Sequence, residues 1–195
     1  MKYRIAAYIS GSGSNLKAIL DYSIQKKIAS EVVLVIANKD ASGLEYPASL
    51  GIETAVIPRK EMPRKEFVRR QEELLKKYNV DLIVLAGYIR KLPKEVTDKY
   101  ENRIINIHPA LLPKFGGKGM YGMNVHRAVI EANEKYSGPT IHFVDDIYDN
   151  GEILLQKKVE ISIDDTPETL QKKVLELEHI AYPEAIKLLE ERREN

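Results

Sequence analysis

Asn106 and His108 stand two residues apart in Ile104-Ile105-Asn106-Ile107-His108-Pro109. Alternation along a strand puts both on one side and Ile105 and Ile107 on the other. Pro109 biases His108 toward an extended backbone, so an amide and an imidazole leave a buried strand together at its carboxyl end. Such a pair suits a carbonyl oxygen on which negative charge grows during reaction. It equally suits two strand-end polar groups satisfied by loop backbone, and the sequence leaves both readings open. Asp145, Asp146 and Asp149 lie further on. Together they read first as turn residues, because their spacing fits no calcium loop and no His-x-x-x-His accompanies them. A single one facing His108 would raise the imidazole pKa and equip it to donate a proton.

The other chemically pointed segment is Ser10-Gly11-Ser12-Gly13-Ser14-Asn15-Leu16. Leu16 takes the place of the third glycine in a dinucleotide fingerprint, and no Walker lysine follows. What remains is a close-approach loop with polar donors at a helix N-terminus, which suits an anion. The competing reading is a tight turn capped by Ser14 or Asn15. At the first junction of a parallel sheet, phosphate binding is favoured, since ligands collect at the carboxyl ends of such strands. His142 reads as a structural strand histidine, His179 as facing solvent or a loop, and His126 as capping a helical segment or facing a ligand. Arg90 follows a buried strand and is better placed for an anion than Arg64, although solvation is the default for either.

These groups need elements to carry them. Tyr3–Ile9, Glu31–Ala37, Thr54–Ile57, Asp81–Leu85 and Ile104–Ile107 read as strands. Asn15 to about Lys26, Leu44–Leu50 and Pro63–Lys77 read as helices, with Pro63 in a first turn. This alternation predicts an α/β fold, a doubly wound, mostly parallel sheet flanked by helices. Thr140–Val144 and Ile153–Ile161 predict an antiparallel hairpin at its edge, closed by Asp149-Asn150-Gly151. A long C-terminal helix from Pro167 to Arg193 carries Leu170, Val174, Leu177, Ala181 and Leu188 on one stripe. Glu178 lies at the edge of that stripe and is free to reach a cleft. Pro183 removes one backbone bond and is expected to kink the helix.

Composition narrows the classes. The 195 residues predict one domain, residues 1–195, and carry 30 Lys+Arg against 29 Asp+Glu, a net charge of +1. That balance offers no electrostatic reason for a nucleic-acid or membrane partner. With no cysteine there is no disulfide, thiolate metal site or cysteine nucleophile. The N-terminus lacks the pattern of a signal peptide, and no apolar run approaches a membrane span, so a cytoplasmic protein is expected. Monomer and homodimer are left open.

The motifs occur together and in order. Ser-Gly-Ser-Gly-Ser-Asn-Leu is followed by Leu85-Ala86-Gly87-Tyr88-Ile89-Arg90, Asn106-Ile107-His108-Pro109 with Leu111-Leu112-Pro113, Ile141-His142-Phe143-Val144 with Asp149, and Glu178-His179 with Tyr182-Pro183. The chain resembles the phosphoribosylglycinamide formyltransferases, Rossmann-like, folate-dependent enzymes of purine biosynthesis, over residues 3–190. The resemblance implies direct transfer of a formyl group from 10-formyltetrahydrofolate to glycinamide ribonucleotide, without metal. It implies catalysis by Asn106, His108 and Asp149, with His108 protonated and stabilising an oxyanion. Gly13, Ser14, Asn15 and Glu178 would bind the acceptor. Arg64, Ile89, Arg90, Lys91, Leu92, Asn106, Asp145, Asp146, Ile147, Tyr148 and Asp149 would bind the folate. Other formyltetrahydrofolate enzymes are the alternative, their larger forms fitting this length poorly, and a non-catalytic sugar-phosphate module is a further one. The stretch Lys114–Asn124 is longer than the family leads one to expect, and is either a lid or a tolerated insertion.

Overall fold

The computed structural model describes residues 2–193. The chain runs through β1 (Arg4–Ile9), α1 (Ser14–Ile24), β2 (Glu31–Ala37), a 3-10 turn at Ser42–Leu44, α2 (Glu45–Ser49) and β3 (Glu53–Val56). It continues through α3 (Arg64–Lys77), β4 (Leu82–Leu85), α4 (Lys94–Lys99), β5 (Ile104–His108) and α5 (Met123–Glu131). The last elements are β6 (Tyr136–Ser137), β7 (Thr140–Phe143), β8 (Ile153–Gln156), β9 (Val159–Glu160) and α6 (Pro167–Arg192). The main sheet has the order β3-β2-β1-β4-β5-β7-β8. Its first five strands are parallel, while β7 and β8 pair antiparallel.

Alternation explains the layers. Ile5, Ala7 and Ile9 pack on one face with Leu16 and Ile19 of α1 and Tyr182 and Ile186 of α6. Ala6 and Tyr8 pack on the other with Phe67 and Leu75 of α3 and Val96 of α4. Each large apolar side chain so buried contributes roughly 1.5–3 kcal/mol, so a one-residue slip in register would be prohibitive.

The expected architecture is present, with local corrections. The strand expected over Ile153–Ile161 breaks into β8 and β9, and β9 leaves the main sheet to pair with β6. At the break, Lys157 N donates to the Pro139 carbonyl, outside either ladder. Pro63 sits just before α3 with extended backbone, not in its first turn. Gly13, in a left-handed conformation, takes the cap position of α1, and no side chain caps it, so neither Ser14 nor Asn15 does so. Thr166 and Thr169 form a reciprocal capping box at the start of α6, which continues on both sides of the buried Pro183. The buried stripe of α6 follows Leu170, Val174, Glu178, Tyr182 and Ile186, leaving Leu177 and Leu188 half-buried. Glu178 therefore lies within the stripe. The Tyr182 hydroxyl reaches the carbonyls of Leu85 and Ile105, each at 3.1 Å, and ties α6 to β4 and β5.

Candidate active site

The sheet order reverses between β1 and β4, so the loops after these strands diverge and open a crevice at their carboxyl ends. Ser10, at the end of the β1 segment, donates from Oγ to Asn38 Oδ1 at 2.6 Å and accepts from Ile89 N at 3.0 Å. One hydroxyl thus joins the loops after β1, β2 and β4. The end of β5 is fixed as tightly. Thr140 Oγ1 donates to Ala110 O at 2.6 Å and accepts from Leu112 N at 3.1 Å and Gln156 Nε2 at 2.8 Å. That network holds the Pro109–Pro113 turn against β7 and β8, and with it the direction in which His108 leaves the strand.

Asn106 and His108 do share one side of β5, opposite Ile105 and Ile107 in the core. His108 is buried, and its Nε2 lies 2.8 Å from the Phe115 carbonyl. A carbonyl only accepts, so Nε2 carries a proton and donates it. The other ring nitrogen, Nδ1, faces Asp149 Oδ2 at 3.5 Å. His142 is directly paired with Asn106 across β5 and β7. Its Nδ1 donates to the Phe143 carbonyl at 2.8 Å, and its Nε2 lies 3.2 Å from Asn106 Nδ2. An amide nitrogen has two hydrogens, so Asn106 keeps a second for a ligand oxygen. Asp149 Oδ1 stands 3.6 Å from His142 Nε2, and Oδ2 accepts from Gly117 N at 2.9 Å. Asn106, His108 and Asp149 converge, and His142 completes the cluster.

Electrostatics separates their roles. Burial pushes the His108 pKa below the usual imidazole value, against upward pulls from Asp149 and the Phe115 carbonyl. Burial alone would raise the Asp149 carboxyl, but His142, His108 and the Gly117 N–H outweigh it and hold the group ionised. His126 lies within α5 with Nδ1 buried and unpartnered, and burial pushes it down to about 4. Burial thus favours the neutral form of His108 beside an ionised Asp149, and the Nε2 bond to Phe115 leaves Nδ1 as the ring nitrogen facing that carboxylate.

Two of the residues expected to bind the acceptor also meet. Asn15 Nδ2 donates to Glu178 Oε2 at 2.6 Å, both side chains being buried. Burial raises the Glu178 pKa against the opposing pull of Asn15, and Asn15 Oδ1 has no partner. A buried acceptor without a donor is costly, so it fits an N–H or O–H of a bound ligand. Beside it, the uncapped N-terminus of α1 presents backbone N–H groups.

A model of the formyl transferase family matches residues 3–186. The chain belongs to the formyl transferase family. It is 44% identical over 193 residues to the chloroplastic phosphoribosylglycinamide formyltransferase of Arabidopsis thaliana, covering 97% of this chain and 66% of that protein. The corresponding protein of Vigna unguiculata is 41% identical, with 97% and 62% covered. The chain thus spans just under two thirds of these relatives. The crystal structure of glycinamide ribonucleotide transformylase 1 from Symbiobacterium toebii superposes with a TM-score of 0.91 at 40% identity, covering 98% of this chain and 89% of that one.

In this member of the formyl transferase family, the two expected folate segments also face each other. Lys91 Nζ donates to the Asp146 carbonyl at 2.6 Å and lies over the Tyr148 ring, while Lys94 pairs with Asp146. Asp145 accepts from Ile147 N and Asn150 Nδ2, the turn role expected of the acids. Ile89, Ile147 and Tyr148 are exposed and Leu92 is buried. Arg64 is engaged in a two-point ion pair with Glu95 at the surface, and Arg90 has no ion-pair partner among the described residues.

Three features lay outside the expectations. His142 belongs to the site because register places it opposite Asn106, a signal available once β5 and β7 are paired. The glycine-rich stretch is no bare insertion: it supplies the Phe115 carbonyl and Gly117 N–H to His108 and Asp149. His179, expected against solvent or a loop, is half-buried with Nε2 unpartnered.

Gly43 is a further hidden contributor. A Cβ there would lie 2.7 Å from Gly11 O, 2.8 Å from Ser12 C and 2.9 Å from Gly13 N, all backbone atoms. Gly43→Ala should therefore shift the Gly11–Gly13 loop and raise the KM for a phosphorylated acceptor at least about tenfold, with a smaller effect on the KM for the formyl donor. Equal changes in both KM values would show that this loop does not bind the acceptor.

Proposed function

We propose that this protein transfers the formyl group of 10-formyltetrahydrofolate to the amino group of glycinamide ribonucleotide, a step of purine biosynthesis, with residues 1–195 acting as one domain. The convergence of Asn106, His108 and Asp149 at the carboxyl end of β5 carries the proposal. Asn15, Glu178 and the Gly13–Ser14 turn fit the acceptor, whose phosphate suits the α1 N-terminus and whose amine suits the buried carboxyl. The exposed Ile89, Ile147 and Tyr148, with Arg90, Lys91, Leu92 and the Asp145–Asp149 loop, fit a folate. Arg64 would join them by exchanging Glu95 for a folate carboxylate.

As the amine attacks the formyl carbon, Asn106 Nδ2 donates to the oxygen that becomes negative. His108 Nδ1 accepts the amine proton, and the imidazolium so formed stabilises both the oxyanion and its own contact with Asp149. The same proton then passes from Nδ1 to the departing folate nitrogen as its bond to the formyl carbon breaks. Formylated acceptor and tetrahydrofolate leave, and His108 returns neutral. The resemblance implies a protonated His108 at the start, whereas this reading starts from the neutral ring, which burial favours.

No helix among the described residues is long and apolar enough to cross a membrane. Near-neutral charge favours small-molecule partners over nucleic acid or membrane surfaces, and the cytoplasm is the proposed compartment, whereas the plant relatives are described as chloroplastic. Purified protein should formylate glycinamide ribonucleotide with 10-formyltetrahydrofolate in the presence of a chelator and without ATP. Formate release at a comparable rate in the absence of acceptor would establish a hydrolase instead.

A further inference from the structure

We propose that the main chain of Phe115–Gly117 is a positioning element for the catalytic pair: the Phe115 carbonyl fixes a proton on His108 Nε2, and the Gly117 N–H aims the Asp149 carboxylate at Nδ1. The inference deepens the formyl-transfer reading and rests on it for its kinetic part only. In the contacts, Nε2 sits 2.8 Å from Phe115 O, and Asp149 Oδ2 sits 2.9 Å from Gly117 N but 3.5 Å from Nδ1. The backbone hydrogen bonds are the short ones, and the functional pair is the long one. A neutral ring with its proton on Nε2 must present a bare Nδ1, the nitrogen that the reaction uses. Backbone dipoles held by the fold need no reorganisation when charge appears.

The turn is built to point these groups inward. Phe115 has φ +57 and Gly117 φ +96, both in the region that L-residues avoid, and the Phe115 side chain packs against the cluster of Ala110, Val125, Val129, Leu170 and Val174. That packing offsets the backbone penalty. Gly116 fits closely too: a Cβ there would lie 2.7 Å from Leu112 Cδ2 and 3.1 Å from Asp149 Cβ. By contrast, a Cβ on Gly117 meets nothing within 4 Å. Its substitution therefore tests backbone conformation without a clash. The other titratable groups facing His108 are Asp149, His142 from β7 and His126 from α5, and the Nε2 hydrogen bond goes to the Phe115 carbonyl.

The test compares Gly117→Ala with the same residue in its D configuration, which accepts positive φ. The L-variant should lose at least about tenfold in kcat with both KM values within about threefold, whereas the D-variant stays within about threefold of the parent. Equal losses in both forms, or parental kcat in both, would overturn the proposal. So would a rise in KM at constant kcat. A second measurement needs no activity: ring-nitrogen NMR of His108 in the unaltered protein, above its titration, should show the neutral ring protonated on Nε2. Replacing Gly116 by glycolic acid turns the Phe115 amide into an ester, a weaker acceptor, and should raise the fraction protonated on Nδ1. An Nδ1-protonated ring in the parent, or a tautomer ratio insensitive to the ester, would overturn the positioning role even if formyl transfer is confirmed. Should formyl transfer itself fail, the tautomer result still decides the role of the turn.

Discussion

Replacing His108 with alanine should lower kcat by about 10³-fold while the dissociation constants of both substrates, measured by calorimetry, move by less than about threefold. Two losses combine in that number. On the proposed mechanism the base that takes the amine proton disappears, and so does the imidazolium whose charge stabilises the oxyanion. A single oxyanion donor is worth about 10²–10³-fold, and acid–base transfer about 10²–10⁴-fold, but one ring supplies both and the effects do not add in full. Binding is spared because the proposed acceptor site rests on Asn15, Glu178 and the start of α1, and among the described residues no hydrogen bond or ion pair joins these to His108. The variant leaves the Phe115 carbonyl without its donor, at a cost of about 1–3 kcal/mol. Thermal unfolding must therefore show a folded protein at the assay temperature. Near-parental turnover in that folded variant would remove His108 from the chemistry.

How much of this site was readable before the chain was folded depended on whether a residue acts through its side chain or through its backbone. The pairing of Asn106 with His108 followed from strand period alone, and the anion-friendly end of α1 from two glycines and a helix start. The partner Asp149 was only one of three acids, since nothing local distinguishes it from Asp145. His142 required the register of β7 against β5, a non-local fact. Phe115 and Gly117 contribute a carbonyl and an N–H, which every residue has, so no residue type could announce them. Gly43 matters for the side chain it lacks and for a loop some thirty residues earlier. The same logic governs the fold. Strands covered on both faces read clearly as apolar runs, whereas α4 buries only Val96 and Thr97 and β6 has two residues, too little pattern to read.

Asp149→Asn is the sharper probe of mechanism, because it removes a charge and almost no volume. The amide oxygen can still accept from Gly117 N, so the turn should hold. Turnover should nevertheless fall about 10²-fold, since the imidazolium formed during attack loses its counter-charge in a buried setting. The pH profile decides whether this is the reason. On the proposed mechanism activity requires neutral His108 at the outset, so kcat/KM should fall on the acid side as that ring becomes protonated in the free enzyme. Asp149 raises the His108 pKa, and removing its charge lowers it further, against burial that already pushes the same way. Neutral ring then persists to lower pH, and the acid limb should move to lower pH while the plateau drops. Two displacements of opposite benefit from one substitution are hard to obtain from misfolding or a displaced loop, which lower the plateau alone. An unmoved acid limb would mean that Asp149 does not act on His108 through charge. A fall in kcat/KM on the alkaline side of the His108 titration, moving to lower pH in the variant, would mean that the working form of His108 at the start of attack is the protonated one.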